Sequence, residues 1–360
     1  MDRGVRKWST MAGTTSEDPR RAAARAAAGY RALGRTSLDE FALADGADLG
    51  RVSIVHGANA DVIWFDAAGE EVVSLCHFSP SIDPRPVAGD WVAVSDDRIE
   101  TVLARRSALQ RVNQRTHALQ VLAANVDLVL LVIPIDRAPN IHMLERYAVM
   151  ARDSGALPII VLTKADESAS VEVAVATANA AVPDVEVLTT SSRSGVGLEH
   201  LRHLLGPGVT AVMLGASGAG KTSLLNALEN RQEHTRTLGR GGGRHATTTR
   251  KLYRLSSGGV LLDIPGIRLA NLRVEPDHLD ETFTEIDEAA AQCHFRDCAH
   301  RADEGCAVLA AVAAGTIDPQ RFANWQRIRD EASRLSRDRH PANRRAARPA
   351  PREDGTEGRA

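Results

Sequence analysis

One nonapeptide, Gly215-Ala216-Ser217-Gly218-Ala219-Gly220-Lys221-Thr222-Ser223, narrows what this chain can be more than any other stretch. It follows the apolar run Val209 to Leu214 and opens the amphipathic run Leu224-Leu225-Asn226-Ala227-Leu228. The spacing is G-x-x-x-x-G-K-[ST], in the strand, glycine-rich loop, helix setting that a phosphate-binding loop requires. Glycines let backbone N–H groups turn inward around a phosphate, and the following helix points its positive end at the same anion. Lys221 is expected to reach the outer phosphates and the Thr222 hydroxyl to hold Mg²⁺. The stretch predicts a nucleotide site.

The residues around it read as an α/β unit. Val126 to Ile133 is a continuous apolar run of the kind a buried parallel strand shows. A helix over 143–151, a strand over 157–162, a helix over 170–181, a strand over 185–188 and a helix over 198–205 are predicted next. Strands near 252–255 and 260–264 follow the loop and its helix. Such alternation predicts a parallel sheet with ligands at the carboxyl ends of its strands.

Four further elements suggest which nucleotide. Thr163-Lys164-Ala165-Asp166 matches [NT]-K-x-D. The Asp166 carboxylate at its fourth position can accept from the N1–H and 2-amino group of guanine, a pattern adenine lacks. Lys164 is expected over the base. Thr163 stands where Asn is commoner, so its own contact to the base is the weakest part of the match. Ser191-Ser192-Arg193 resembles the S-A-K element whose backbone touches guanine O6. Asp263-Ile264-Pro265-Gly266 fits D-x-x-G, with Asp263 holding Mg²⁺ through water and the Gly266 N–H sensing the γ-phosphate. Thr247 and Thr248 are candidates for a switch threonine, beside a mobile run containing glycines 239 and 241 to 243. The order is base-reading elements, then phosphate loop, then switches, a rotation of the commoner one. A rotated order still folds, because termini of compact domains often lie close together.

Composition sets the frame for the rest. The chain has 360 residues, enough for two or three domains. Its formal net charge of −2 gives no global attraction to nucleic acid, so any such contact must be a local patch. There is no apolar run of 18 or more and no apolar stretch in the first 20 residues, so neither a membrane span nor a secretory signal is expected. The four cysteines fall as a lone Cys76 and a close trio, which suits a reduced compartment and a metal site. The reading is a cytoplasmic monomer.

Five domains or segments follow. Residues 1–48 read as a loosely ordered leader, with an Ala- and Arg-rich helix over 18–32 that has little apolar surface to bury. Residues 49–115 carry five short strand-like runs and predict an OB-fold β-barrel, whose following arginines, Arg105, Arg106, Arg111 and Arg115, either touch RNA phosphates or solvate a linker. Residues 116–272 form the circularly permuted α/β P-loop domain. Residues 273–336 predict a helical zinc-binding domain. Its Cys293, Cys298, His300 and Cys306 make C-x4-C-x-H-x5-C, three thiolates and an imidazole that suit one tetrahedral structural zinc. His294 is a spare imidazole, and His300 is favoured. Residues 337–360 form a basic tail.

Barrel, permuted GTPase and C-x4-C-x-H-x5-C domain in this order resemble the small-ribosomal-subunit-dependent GTPases, the RsgA family. The likeness runs from about residue 50 to about residue 335 and includes Val121 to Asp127 and Gly243-Arg244-His245. Ala246 departs from the family, which usually carries a first threonine there. The resemblance implies GTP hydrolysis stimulated by the small subunit, a role in that subunit's late maturation, and contact of the barrel and zinc domain with ribosomal RNA. GTP, GDP and the 30S subunit would be its partners, with Mg²⁺ at the nucleotide. Ile267 follows Gly266, where many GTPases place a water-orienting Gln, so intrinsic hydrolysis is expected to be slow, with His245 the best internal group to position water. The rival functions are a nucleotide-gated RNA-binding switch and an ATP-dependent RNA remodeller.

Overall fold

A computed structural model of the chain describes residues 19–34, 47–112, 119–229, 251–263 and 279–338. Five strands close a barrel: β1 (Asp48–His56), β2 (Asn59–Phe65), β3 (Glu71–His77), β4 (Trp91–Ser95) and β5 (Arg98–Val102), in the order β1-β2-β3-β5-β4. Alternation along the strands turns Val52, Val62, Cys76, Val92 and Ile99 into its core, while Arg51, Ile63 and Trp91 point out of the barrel and are buried against the rest of the fold. β3 meets β5 only at the His77 and Arg98 pair. A two-stranded ribbon, β6 (Ala108–Val112) and β7 (Leu119–Ala124), leaves the barrel for the next domain.

The expectation of a loose leader up to residue 48 does not hold for residues 19–34. Helix α1 (Pro19–Ala32) packs on the barrel through few but large groups. Tyr30 is buried, its hydroxyl donates to the Leu49 carbonyl at 2.7 Å, and its ring meets Phe65 edge-on at 4.8 Å. Gly29 lies so close that a Cβ there would stand 2.2 Å from the Phe65 ring. Leu33 is fully buried just beyond the helix, and the Arg31 carbonyl accepts from Gly208 N at 2.9 Å. Composition hid this docking because single large side chains, Tyr30 and Leu33, make it within an otherwise Ala-rich segment.

The α/β domain has β8 (Leu128–Pro134), α2 (Ile141–Asp153), β9 (Leu157–Thr163), α3 (Val171–Ala181), β10 (Val187–Thr189), α4 (Leu198–Leu204), β11 (Thr210–Leu214), α5 (Lys221–Glu229), β12 (Lys251–Arg254) and β13 (Val260–Asp263). The sheet order is β10-β9-β8-β11-β13-β12. All neighbours are parallel except β12 with β13, a departure from the all-parallel expectation. The turn over 255–259 is too short for a crossover, so the pair closes as an antiparallel hairpin at the sheet edge. Both central strands, β8 and β11, are almost wholly buried, which is why they read as unbroken apolar runs.

Among the described residues, the last domain consists of α6 (Thr284–Ala290), α7 (Ala307–Ala313) and α8 (Pro319–Asp338). Residues 279–282 form a bend and turn ahead of α6. The Asp318 carboxylate caps α8 by accepting from Gln320 N at 2.7 Å and Arg321 N at 3.0 Å. This domain is locked to α2. Arg321 donates to the fully buried Glu145 at 2.6 Å and to the Ala181 carbonyl at 2.6 Å, and Arg146 makes a two-pronged pair with Glu331 at 2.6 and 2.7 Å.

Candidate nucleotide-binding site and metal centre

Four parallel strands, β8, β9, β10 and β11, deliver their carboxyl ends to one rim of the sheet, and the sequence motifs lie on that rim. The phosphate loop leaves β11 and bends under β8: a Cβ on Gly215 would stand 2.4 Å from the Val132 carbonyl oxygen, so only glycine fits. Gly218 and Gly220 take φ values of 80° and 93°, which turn the backbone inward before α5 begins at Lys221. The Lys221 ammonium curls back onto its own loop, donating to the carbonyls of Gly215 at 2.7 Å and Ala216 at 2.9 Å. Those carbonyls hold the charge where phosphate oxygens would take it over. Ala216, Ser217, Ala219, Thr222 and Ser223 complete the loop and the first turn of α5.

The base-reading elements meet that loop directly. Thr163, at the end of β9, is buried, and its hydroxyl donates to the Ala219 carbonyl at 2.7 Å. Thr163 therefore ties the base-reading strand to the phosphate loop, and its hydroxyl is committed there. Asp166 is exposed, and the Ser191 hydroxyl donates to its Oδ1 at 2.6 Å. That hydrogen bond is the first cause holding the Asp166 carboxyl below the usual value, with Arg193 contributing further. Ser191 also accepts from Arg193 N at 3.2 Å and Ser194 N at 3.0 Å, so the turn is shaped around its hydroxyl. A cavity of about 500 Å³ opens between Lys164, Asp166, Ser192, Arg193, Gly220 and Asn226. Its volume lies in the range of small-molecule sites. Ala165 starts a short 3-10 turn behind it.

Asp263 ends β13. The pairing of Val212 with Leu262 puts it one step further along, level with Met213 and so beside the start of the phosphate loop. His245, Thr247, Thr248 and Gly266 lie outside the described residues, as do Arg115 and the tail beyond residue 338. Of the arginines after the barrel, Arg105 grips the fully buried Asp90 through two bonds of 2.7 Å, Arg106 pairs with Asp127 at 3.4 Å, and Arg111 donates to Gln120 at 2.9 Å. Their first task is structural, and for Arg105 it consumes most of the guanidinium.

Cys293, Cys298, His300 and Cys306 place their ligand atoms within 4.8 Å of one another. Cys293 Sγ is 3.6 Å from His300 Nδ1 and 3.9 Å from Cys306 Sγ, and His300 Nδ1 is 3.4 Å from Cys306 Sγ. A tetrahedral zinc with bonds of about 2.3 Å to sulfur and about 2.1 Å to nitrogen has edges of roughly 3.6–3.8 Å. The donor set and its spacing thus fit a four-coordinate ion. His300 reaches inward from a left-handed backbone at φ 54°, and Trp325 covers it at 5.6 Å between ring centroids. Desolvation, then the neighbouring Cys306 and Cys293, push the Cys298 thiol up to about 12, a crowding of thiols that a cation relieves. His294 instead stacks edge-on with Phe295 at 4.6 Å, away from the four.

Comparison with known proteins agrees with this architecture. Residues 102–273 match the RsgA GTPase family model. A Streptomyces avermitilis protein named small ribosomal subunit biogenesis GTPase RsgA is 39% identical over 311 residues, 82% of this chain and 83% of that protein. The protein of the same name from Xanthomonas euvesicatoria is 39% identical over 255 residues, 69% of this chain and 70% of that protein. The chain belongs to the RsgA family. Among solved structures, YjeQ from Thermotoga maritima superposes with a TM-score of 0.59 at 26% identity, over 79% of this chain and 98% of that one. YloQ, described as a circularly permuted GTPase, gives 0.56 at 23% identity, over 82% and 97%, and shares the fold.

Sequence reading did not single out two residues that the fold places beside these elements. Asp136, just past β8, pairs with Lys164 at 2.5 Å, and Glu145 on α2 is the buried anchor of the metal-binding domain. Neither belongs to a local pattern; each has its partner far along the chain.

Proposed function

We propose that this RsgA-family chain binds GTP in the cavity beside Gly220, hydrolyses it, and does so in the maturation of the small ribosomal subunit, which stimulates the turnover. The observation that supports this reading best is the junction of the two motif sets: Thr163 fastens the base-reading strand to the phosphate loop, three residues before a carboxylate oriented by Ser191. Asp166 then accepts from guanine, the Ser191–Ser192 turn faces O6, and Lys221 with the loop amides takes the phosphates. Thr222 and Asp263 would hold Mg²⁺, which neutralises charge on the β- and γ-phosphates. Thr247 or Thr248 and Gly266 would sense the γ-phosphate. The metal-binding domain holds zinc in a structural role, and the protein works as a cytoplasmic monomer with ribosomal RNA as its contact. With Ile267 after Gly266, the water must be oriented by another group, and His245 is the proposed one.

Multiple-turnover hydrolysis of GTP and of ATP, with and without 30S subunits, tests the reading. GTP turnover is expected to rise severalfold or more with subunits and ATP turnover to stay at background. Asp166→Asn should abolish the preference for guanine. Equal use of both nucleotides, or a preference unaltered in Asp166→Asn, overturns it. In the same assay, full stimulated turnover by His245→Ala removes that residue's role.

A further inference from the structure

Lys164, at the base end of the cavity, is held by a residue just past β8. Lys164 takes φ 62° and ψ 38°, a left-handed conformation uncommon for a side chain of this size. Its backbone is fixed on both sides: Ala165 N donates to the Thr190 carbonyl at 3.2 Å, and Glu167 N donates to the Lys164 carbonyl at 2.9 Å. At the far end, Lys164 Nζ donates to Asp136 Oδ2 at 2.5 Å, with both side chains about one-third exposed. Lys164 lines the cavity with Asp166 and Gly220, and Asp136 does not. With both ends of the side chain held, the methylene stem is the part left to face a ligand, as amphipathic lysines commonly do.

We propose that Asp136 is a positioning residue for the nucleotide: by pinning the Lys164 ammonium it stands the lysine stem up as one wall of the base slot. The inference rests on the guanine-nucleotide reading above. Asp136 touches neither base nor phosphate, so its effect falls on ground-state binding and leaves the reacting end of the nucleotide alone. Binding common to ground and transition states changes KM without changing kcat.

Titration of fluorescently labelled GDP and ADP against the full-length chain and three variants provides the test. In Asp136→Asn, which keeps the shape and removes the charge, and in Asp136→Ala, the dissociation constant for GDP is expected to rise about three- to fivefold. The KM for GTP with 30S subunits should rise by the same factor with kcat unchanged, and Asp136→Glu should recover most of the loss. Melting temperature and bound zinc, measured on each variant, separate this from a general loss of structure. GDP binding by Asp136→Ala as tight as that of the parent, or an equal fall in kcat, overturns the proposal. A parent chain that binds ADP as well as GDP refutes the guanine reading itself, a result visible before any variant is made.

Discussion

Replacing Arg321 by methionine removes a guanidinium and keeps an unbranched stem against Phe283, over whose ring the charge sits at 4.8 Å. The lost bonds run to Glu145 and the Ala181 carbonyl at 2.6 Å each, to the Thr282 carbonyl at 2.8 Å, and to Glu285. Glu145 is the costly partner, because its side chain is fully buried and, among the described residues, retains only Asn324 as a hydrogen-bond donor. Breaking one side of a buried pair typically costs about 3–5 kcal/mol. Since Asn324 remains and Glu285 is partly solvated, the low end, about 3 kcal/mol, is expected. That corresponds to roughly a hundredfold rise in opening of the metal-binding domain. Burial already raises the Glu145 carboxyl above its ordinary value, with Asn324 and Arg321 pulling it back. Without Arg321 the folded-state value rises further. A raised carboxyl favours the folded state at low pH and loses that contribution as pH climbs from the unfolded value through the folded one. The variant's deficit should therefore grow as pH rises above the ordinary carboxylate range and shrink as pH falls back toward it. Hydrogen exchange of the α8 amides, taken as the ratio of variant to parent at each pH, reads this directly. Adding Glu145→Leu to Arg321→Met should restore much of the protection, because no buried charge is then left alone. A ratio below about threefold, or one constant across that pH range, refutes the reasoning.

Two other outcomes are expected. Chelation of the metal, or Cys298→Ser, should release about one zinc per chain and unfold the α6–α8 region, while leaving GDP affinity near that of the parent; zinc measured by mass spectrometry and GDP titration check it. Gly215→Ala must push a Cβ into the Val132 carbonyl at 2.4 Å, so nucleotide binding should fall at least tenfold while the barrel keeps its fold, as calorimetric titration and circular dichroism would show.

Contiguous chemistry was legible in the sequence. The phosphate loop, Thr163 to Asp166, and the four candidate metal ligands each need residues close along the chain, because a turn or one ion would gather them locally. The five-strand barrel was readable for the same reason, through alternation and turn residues. Pairings across the fold left no such trace: Thr163 with Ala219 is 56 residues apart, Lys164 with Asp136 28, and Arg321 with Glu145 176. Nothing in the local pattern of Asp136 distinguishes it from a solvated loop carboxylate. The docking of α1 was hidden because hydrophobic content averages over a window, whereas Tyr30 and Leu33 act singly. The antiparallel edge followed from a loop length, a signal available beforehand but outweighed by the repeating strand–helix pattern.

The permuted order acquires a mechanical meaning once the ionic lock on α2 is placed beside the sheet topology. In chain order the base-reading half, β8 to α4, precedes the phosphate loop, and β13 follows it. After Asp263 the chain is next described at Leu279, in a domain that packs on α2 and on the end of α3. Both helices belong to the base-reading half. On either side of residues 264–278 the chain is held by β13, which lies between β11 and the edge strand β12, and by a domain fastened to α2 and the end of α3. Strand β13 is hydrogen-bonded on both edges, to β11 and β12, and yields least. The bonds from Arg321 to Glu145 and to the Ala181 carbonyl make α2 and the end of α3 the mount of the last domain, so Arg321→Met is expected to loosen that domain from the strand–helix units that lead to Thr163 and Asp166.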